Sequence, residues 1–152
     1  MADLAEREAL TLVVQLATDN ALAGQLPFAA VVVRDGTEVG RGVNTALADL
    51  DPSAHAEVTA IRDAAQRLGT LDLSGTIIYS SCEPCAICRL IAAASGISEI
   101  VYAAPKELVP PTIDSAPATT ARLITAVTAV LPHIARPGTT DTDVTTPFTT
   151  LH

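Results

Sequence analysis

No stretch of this chain stays apolar for the roughly 18 residues that a bilayer-crossing helix needs. Its first residues, MADLAEREAL, also lack the basic start and apolar core of a signal peptide. A soluble cytoplasmic protein without membrane contact is the expectation. Basic residues are few and dispersed: Arg7, Arg34, Arg41, Arg62, Arg67, Arg89, Lys106, Arg122 and Arg136 make nine, no two adjacent, and the net charge is -8. Nucleic-acid binding draws much of its affinity from clustered cations that release counterions, so this distribution argues against a phosphate-tracking surface. Only three cysteines occur, Cys82, Cys85 and Cys88, too close together to staple distant parts of a fold. Reduced thiols on a metal fit them better. No internal repeat is visible.

What is present is a chain of 152 residues, 49% of them hydrophobic, enough for one domain with a real core. Asp3-Leu4-Ala5-Glu6 has capping-box spacing, and apolar residues from Ala5 to Ala17 follow at helical intervals, which predicts a helix from about Asp3 to about Ala21. FAAVVVR, from Phe28 to Arg34, reads as a strand; Asp35-Gly36 is a hairpin turn, and Glu38 to Val43 returns. Residues 45–54 read as a loop that enters a helix through Pro52 and Ser53 and stops at Gly69, with His55 and Glu57 in its first turn. TIIYS, from Thr76 to Ser80, is the next strand, and Pro84 suits the first position of a helix running to Gly96. ISEIVYAA, Ile97 to Ala104, is a further strand, and Ala118 to Val130 a last helix. The alternation predicts an α/β fold with parallel crossovers and a sheet covered on both faces. Residues 1–136 are expected as the domain and 137–152, Thr-rich and without helical period, as an extended tail.

The chemistry is concentrated in Pro84-Cys85-Ala86-Ile87-Cys88 and His55-Ala56-Glu57. Cysteines at i and i+3 share one helix face, and at a helix start the dipole favours thiolate. His55 could supply a third ligand, leaving the fourth corner of a tetrahedral zinc for water, as in a catalytic rather than a structural site. His55 and Glu57 stand two apart, so on a regular helix they diverge. They converge only where the helix end itself faces the metal, with His55 at the boundary and Glu57 just inside. A site at two meeting helix N-termini satisfies that demand. Water activated by the cation, and deprotonated by Glu57, would attack a ring carbon bearing an exocyclic amine; Glu57 would then carry the proton to the ring nitrogen and help ammonia leave.

H-x-E together with P-C-x-x-C is the signature of zinc-dependent nucleobase deaminases. DPSAHAEVTAIR, Asp51 to Arg62, and YSSCEPCAIC, Tyr79 to Cys88, resemble the cytidine deaminase-like superfamily, and within it the bacterial guanine deaminase group. The likeness covers roughly residues 4–104. It implies a three-layer α/β/α sandwich with a mixed, about five-stranded sheet, and a homodimer. It also implies His55, Cys85 and Cys88 on Zn2+, Glu57 as proton shuttle and Asn44 hydrogen bonded to the base. Phe28, Ala56 and Ser81 join the expected substrate contacts. Departures bear on the substrate: Ala86-Ile87 stands where the family often has Pro-Met, Leu90 to Gly96 carries no aromatic, and no Gly-Phe-Asp-Asp follows the fourth strand. Asp114 is the nearby acid that could replace it. Phe148 is the tail aromatic that could fold over a partner's site.

A zinc-dependent aminohydrolase of a free nucleobase, guanine first, is therefore the expectation. Cytosine-type pyrimidines or aminated triazines are alternatives, as are a tRNA adenosine deaminase and a non-catalytic zinc-stabilised domain. A small-molecule base is the expected partner.

Overall fold

A computed structural model describes residues 5–150. Five strands, β1 (Ala29–Arg34), β2 (Thr37–Val43), β3 (Thr76–Cys82), β4 (Glu99–Ala104) and β5 (Ala135–Pro137), form one sheet in the order β2-β1-β3-β4-β5. The helices are α1 (Glu6–Leu22), α2 (Ala46–Asp49), α3 (Ala56–Leu68), α4 (Ala86–Ala94), α5 (Pro117–Val130) and α6 (Thr146–Thr149). Among the described residues no helix is long and apolar enough to cross a membrane.

Strand β1 shows why the sheet lies between two layers. Its first five residues are all buried, and alternate side chains go to opposite faces. Ala30 and Val32 join Ile78 and Ile100 against Ala56, Ala60, Ile61 and Ala64 of α3 and Ala92 of α4. Ala29, Val31 and Val33 join Tyr79 and Val101 against Ala9, Leu10, Val13 and Ala17 of α1. The expected three-layer α/β/α sandwich with a mixed sheet holds. The strands are less uniformly parallel than the alternation suggested: β1 runs antiparallel to both neighbours, whereas β3, β4 and β5 are parallel. The Asp35-Gly36 hairpin accounts for the difference, because both residues take positive φ (50° and 75°) and reverse the chain in two residues.

Two glycines of β2 set where α3 sits. A side chain at Gly42 would come within 2.6 Å of the Ala56 carbonyl, and one at Gly40 within 2.6 Å of the Ala64 Cβ. Only bare backbone lets α3 lie this close to the strand. The start of α3 is thereby fixed at the sheet end where β1 begins and β2 and β3 finish, an end set by the register Ala29 with Val43 and Ala30 with Ser80.

Several boundaries differ from the sequence reading. Helix α1 starts at Glu6 with Ala5 as its cap; Asp3, the expected cap, lies outside the described residues. Residues 51–54 do not lead into α3, because the Asp51 carboxylate accepts from Ser53 N and Ser53 Oγ (2.8 and 2.7 Å) and closes a turn of its own. The third strand runs two residues further than expected, to Cys82, so Cys85 and not Pro84 marks the start of α4. The last segment does not stay extended. Strand β5 straddles the expected boundary at residue 136 because the outer edge of β4 is open to pairing. Beyond it, Thr139 N donates to Glu6 (3.2 Å), Arg7 pairs with Asp141 (2.6 Å), and α6 returns Phe148 to the core.

Candidate active site

Helices α3 and α4 both begin at this end of the sheet, and their cap residues are His55 (φ -68°, ψ 155°) and Cys85 (φ -67°, ψ 168°). A polar residue at such a position ordinarily turns its side chain onto its own helix amides. Neither does so here. Both side chains line one cavity instead, where Cys85 raises the pKa of His55. The Cys88 Sγ lies 3.5 Å from His55 Nδ1. Imidazole and thiolate on one tetrahedral zinc stand about 3.5 Å apart, from bond lengths of about 2.0 and 2.3 Å. Among the described residues, no three His, Cys, Asp or Glu side chains already form a complete metal-holding group. The His–Cys–Cys donor set nevertheless fits zinc in type and in its one measured spacing.

Electrostatics divides the two thiols. Burial works against ionisation of Cys85, but the hydrogen bond from His55 and the nearby Lys106 ammonium outweigh it and hold its pKa below the usual value. Burial pushes Cys88 well above it, and the charges of Glu57 and Cys85 add to that effect. One thiolate is favoured by the protein alone; a second needs further positive charge, which a divalent cation would bring. His55 is raised, first by its bond to Cys85. Cys82, buried at the end of β3, is pushed up to about 12 and behaves as a small core residue.

A cavity of about 250 Å³ opens beside these groups, with His55, Ala56, Glu57, Cys85, Asn44 and Phe28 on its wall. Glu57, one residue inside α3, is only 6% exposed and reaches the Cys88 thiol. Asn44 is oriented by its neighbours: Oδ1 accepts from Ala46 N (3.0 Å), and its main-chain oxygen accepts from Asn20 Nδ2 (3.0 Å). That leaves its own Nδ2 for the cavity. Ala56 presents a first-turn amide that has no partner within the helix. Asp114 also lines the wall, and one of its oxygens accepts from Ala116 N (3.0 Å). Ser81 does not belong with them. It is buried, and its Oγ accepts from Ala29 N (3.0 Å), closing the β1–β3 ladder one step past the last paired residues.

Two features escaped the sequence reading. Lys106, just after β4, places Nζ 3.0 Å from Cys85 Sγ. Ligand sites in α/β sheets gather beyond the carboxyl ends of parallel strands, so its place after a strand was the available signal. Glu83, also on the cavity wall, pairs with buried Arg89 (3.0 Å) and accepts from Lys106 N (3.0 Å). Phe148, singled out in the sequence as an aromatic able to fold over a partner's site, meets Phe28 of its own chain edge to face, ring centres 6.0 Å apart.

The family model for the zinc-binding region of cytidine and deoxycytidylate deaminases matches residues 5–104. A guanine deaminase of Bacillus subtilis (strain 168) is 45% identical over 80 residues, 53% of this chain and 46% of that protein. A tRNA-specific adenosine deaminase of Buchnera aphidicola is 37% identical over 89 residues, 59% of this chain and 55% of that protein. The chain thus spans about half the length of these relatives. The crystal structure of Bacillus subtilis guanine deaminase superposes with a TM-score of 0.64 at 39% identity, over 74% of this chain and 68% of that one.

Proposed function

Because the chain belongs to the cytidine and deoxycytidylate deaminase zinc-binding family, we propose that it replaces the exocyclic amine of a free nucleobase, guanine first, by oxygen and releases ammonia. The observation that carries this reading is the pair of helix caps, His55 and Cys85, that line one cavity, with Glu57 one residue inside α3 on the same wall. His55, Cys85 and Cys88 would hold zinc. When bound, zinc supplies Lewis acidity, which brings a water pKa toward neutrality. Glu57 takes a proton from water and delivers it to the ring nitrogen next to the reacting carbon; it then takes the remaining proton from the hydroxyl now on that carbon and gives it to the departing amine. Asn44 Nδ2 donates to a ring acceptor, and Phe28, backed edge-on by Phe148, gives the ring an apolar face.

Guanine is favoured by the guanine deaminase likeness, by a cavity sized for one small ring system, and by the scattered positive charge. A second reading, tRNA adenosine deamination, is supported by similarity over 59% of the chain. We read the assembly as a homodimer, because Ile87, Leu90 and Ile91 of α4 and Leu123 and Val130 of α5 are large apolar side chains left substantially exposed.

Ammonia release measured with guanine, cytosine, an aminated triazine and an adenosine-bearing RNA stem-loop tests the substrate. Turnover of guanine alone among them is expected. Turnover of the stem-loop, with binding that falls steeply in salt, would replace the free-base reading with the RNA one. Zinc binding with no turnover of any of the four would leave a structural zinc domain. Mass measured by light scattering checks the dimer; a monomer at working concentration would remove it.

A further inference from the structure

Lys106 is the only lysine in the chain, and its placement is doubly determined. Its main-chain N–H donates to Glu83 Oε1 (3.0 Å), while Glu83 Oε2 is held by the buried Arg89 guanidinium (3.0 Å). Arg89 in turn donates to the Pro84 carbonyl (3.0 Å), next to the candidate ligand Cys85. The side chain then passes Phe28, with Nζ 5.9 Å from the ring centre, and donates to Cys85 Sγ at 3.0 Å. The turn after β4 is thus tied to the start of α4 twice, by carboxylate and by ammonium.

We propose that Lys106 is a positioning residue for the metal centre: its N–H···S bond fixes the Cys85 sulfur and draws electron density from it. The proposal rests on the zinc reading of the same site. Outer partners that hydrogen bond to metal ligands tune both ligand orientation and the cation's acidity, and their loss typically lowers activity or metal affinity about 10–100-fold. Two thiolates and a neutral imidazole already cancel a dication's charge. A third positive charge beside Cys85 leaves the cation a stronger Lewis acid than those ligands would by themselves.

The test is replacement of zinc by Co2+ and measurement of the thiolate-to-cobalt charge-transfer absorption in the wild type, Lys106→Met and Lys106→Arg. A donor on sulfur lowers the energy of its lone pairs, so the band should move to longer wavelength in Lys106→Met and return most of the way in Lys106→Arg. In parallel, kcat should fall about tenfold or more in Lys106→Met with KM little changed. If Lys106→Met does not fold, Glu83→Gln, which loosens the clamp but keeps the lysine, should shift the band part of the way. A band present in the wild type but unmoved in these variants overturns the role of Lys106 and leaves the zinc reading standing. No thiolate band in the wild type removes both.

Discussion

Helices α3 and α5 are nearly equal in length, 13 and 14 residues, but are held in opposite ways. Helix α3 buries six residues, and it rests against two glycines of β2 so closely that a methyl group would collide with its backbone. Helix α5 buries none. The candidate chemistry sits on the first kind of helix: His55 and Glu57 at the start of α3 are placed by contacts that leave no room for adjustment. The second kind borders the cavity side of the protein, where Thr120 of α5 and Asp114 just before it reach the wall. Reaction chemistry on a helix fixed by close backbone contact, beside a wall that packs less deeply in its own chain, is an arrangement in which the wall can vary without moving the chemistry.

The comparison breaks first at α3. Glu57→Gln keeps the shape of the side chain but removes its ability to take a proton, so ammonia release should fall by about 10²–10⁴-fold while zinc content stays at the wild-type level. Metal analysis alongside the assay checks both; retained turnover would show that the proton moves by another group. Gly42→Ala attacks the seat of the helix and not its chemistry. The added methyl meets the Ala56 carbonyl and the Ala60 amide, and overpacking of this kind costs about 1–3 kcal/mol. A lower melting temperature and a loss of activity of tenfold or more are expected. Thr119→Ala, on the exposed side of α5, should leave both unchanged.

How much of this was legible follows the same divide. The spacing of His55, Glu57, Cys85 and Cys88 demanded two helix starts at one point, because no regular helix brings residues two apart together, and the hairpin was written in Asp35-Gly36. Gly40 and Gly42 read only as members of a strand, since their meaning depends on a helix that crosses them from elsewhere in the chain. Ser81 was expected among the substrate contacts, but its hydroxyl is taken by the Ala29 amide, a strand partner that only the folded sheet brings beside it. The last third was least legible: its helix buries nothing, and its short strand and Phe148 find their places only through β4, α1 and Phe28, partners distant in sequence.

Phe148 sharpens the comparison from behind the cavity wall, where it backs Phe28. It is 9% exposed and packs with Cys82, Ala104 and Phe28. Edge-to-face pairs contribute about 0.5–1.5 kcal/mol beyond area burial. Phe148→Ala should therefore raise KM several-fold with a smaller effect on kcat, because Phe28 on the cavity wall loses the ring that backs it while His55, Glu57 and Cys85 stay in place. Steady-state kinetics on the preferred base separates the two. A fall in kcat without a change in KM would place Phe148 in control of the helix starts, not of the ring.

The smallest effect belongs to the join between the first helix and the last strand. Glu6 accepts from Arg136 (2.8 Å) and from Thr139 N (3.2 Å), and the Arg136 hydrogen bond, opposed by some burial, holds its carboxyl below the ordinary glutamate range. A carboxylate whose pKa is depressed by folding stabilises the folded state above its unfolded value, about 4.3. That contribution is lost as pH falls from there through the lower folded value. The pair is partly exposed, so it is worth at most about 1 kcal/mol at neutral pH. Arg136→Ala should accordingly cost that much or less at pH 7 and less again at pH 3, below the unfolded value, where part of the charge-dependent contribution is gone. Arg136 also reaches Glu99 at 3.2 Å, so Glu6→Gln, which leaves that second pair intact, should cost less than Arg136→Ala. Denaturant unfolding of the three proteins across this pH range checks the order, and equal losses at pH 3 and pH 7 would show that Arg136 acts there through packing and not through charge.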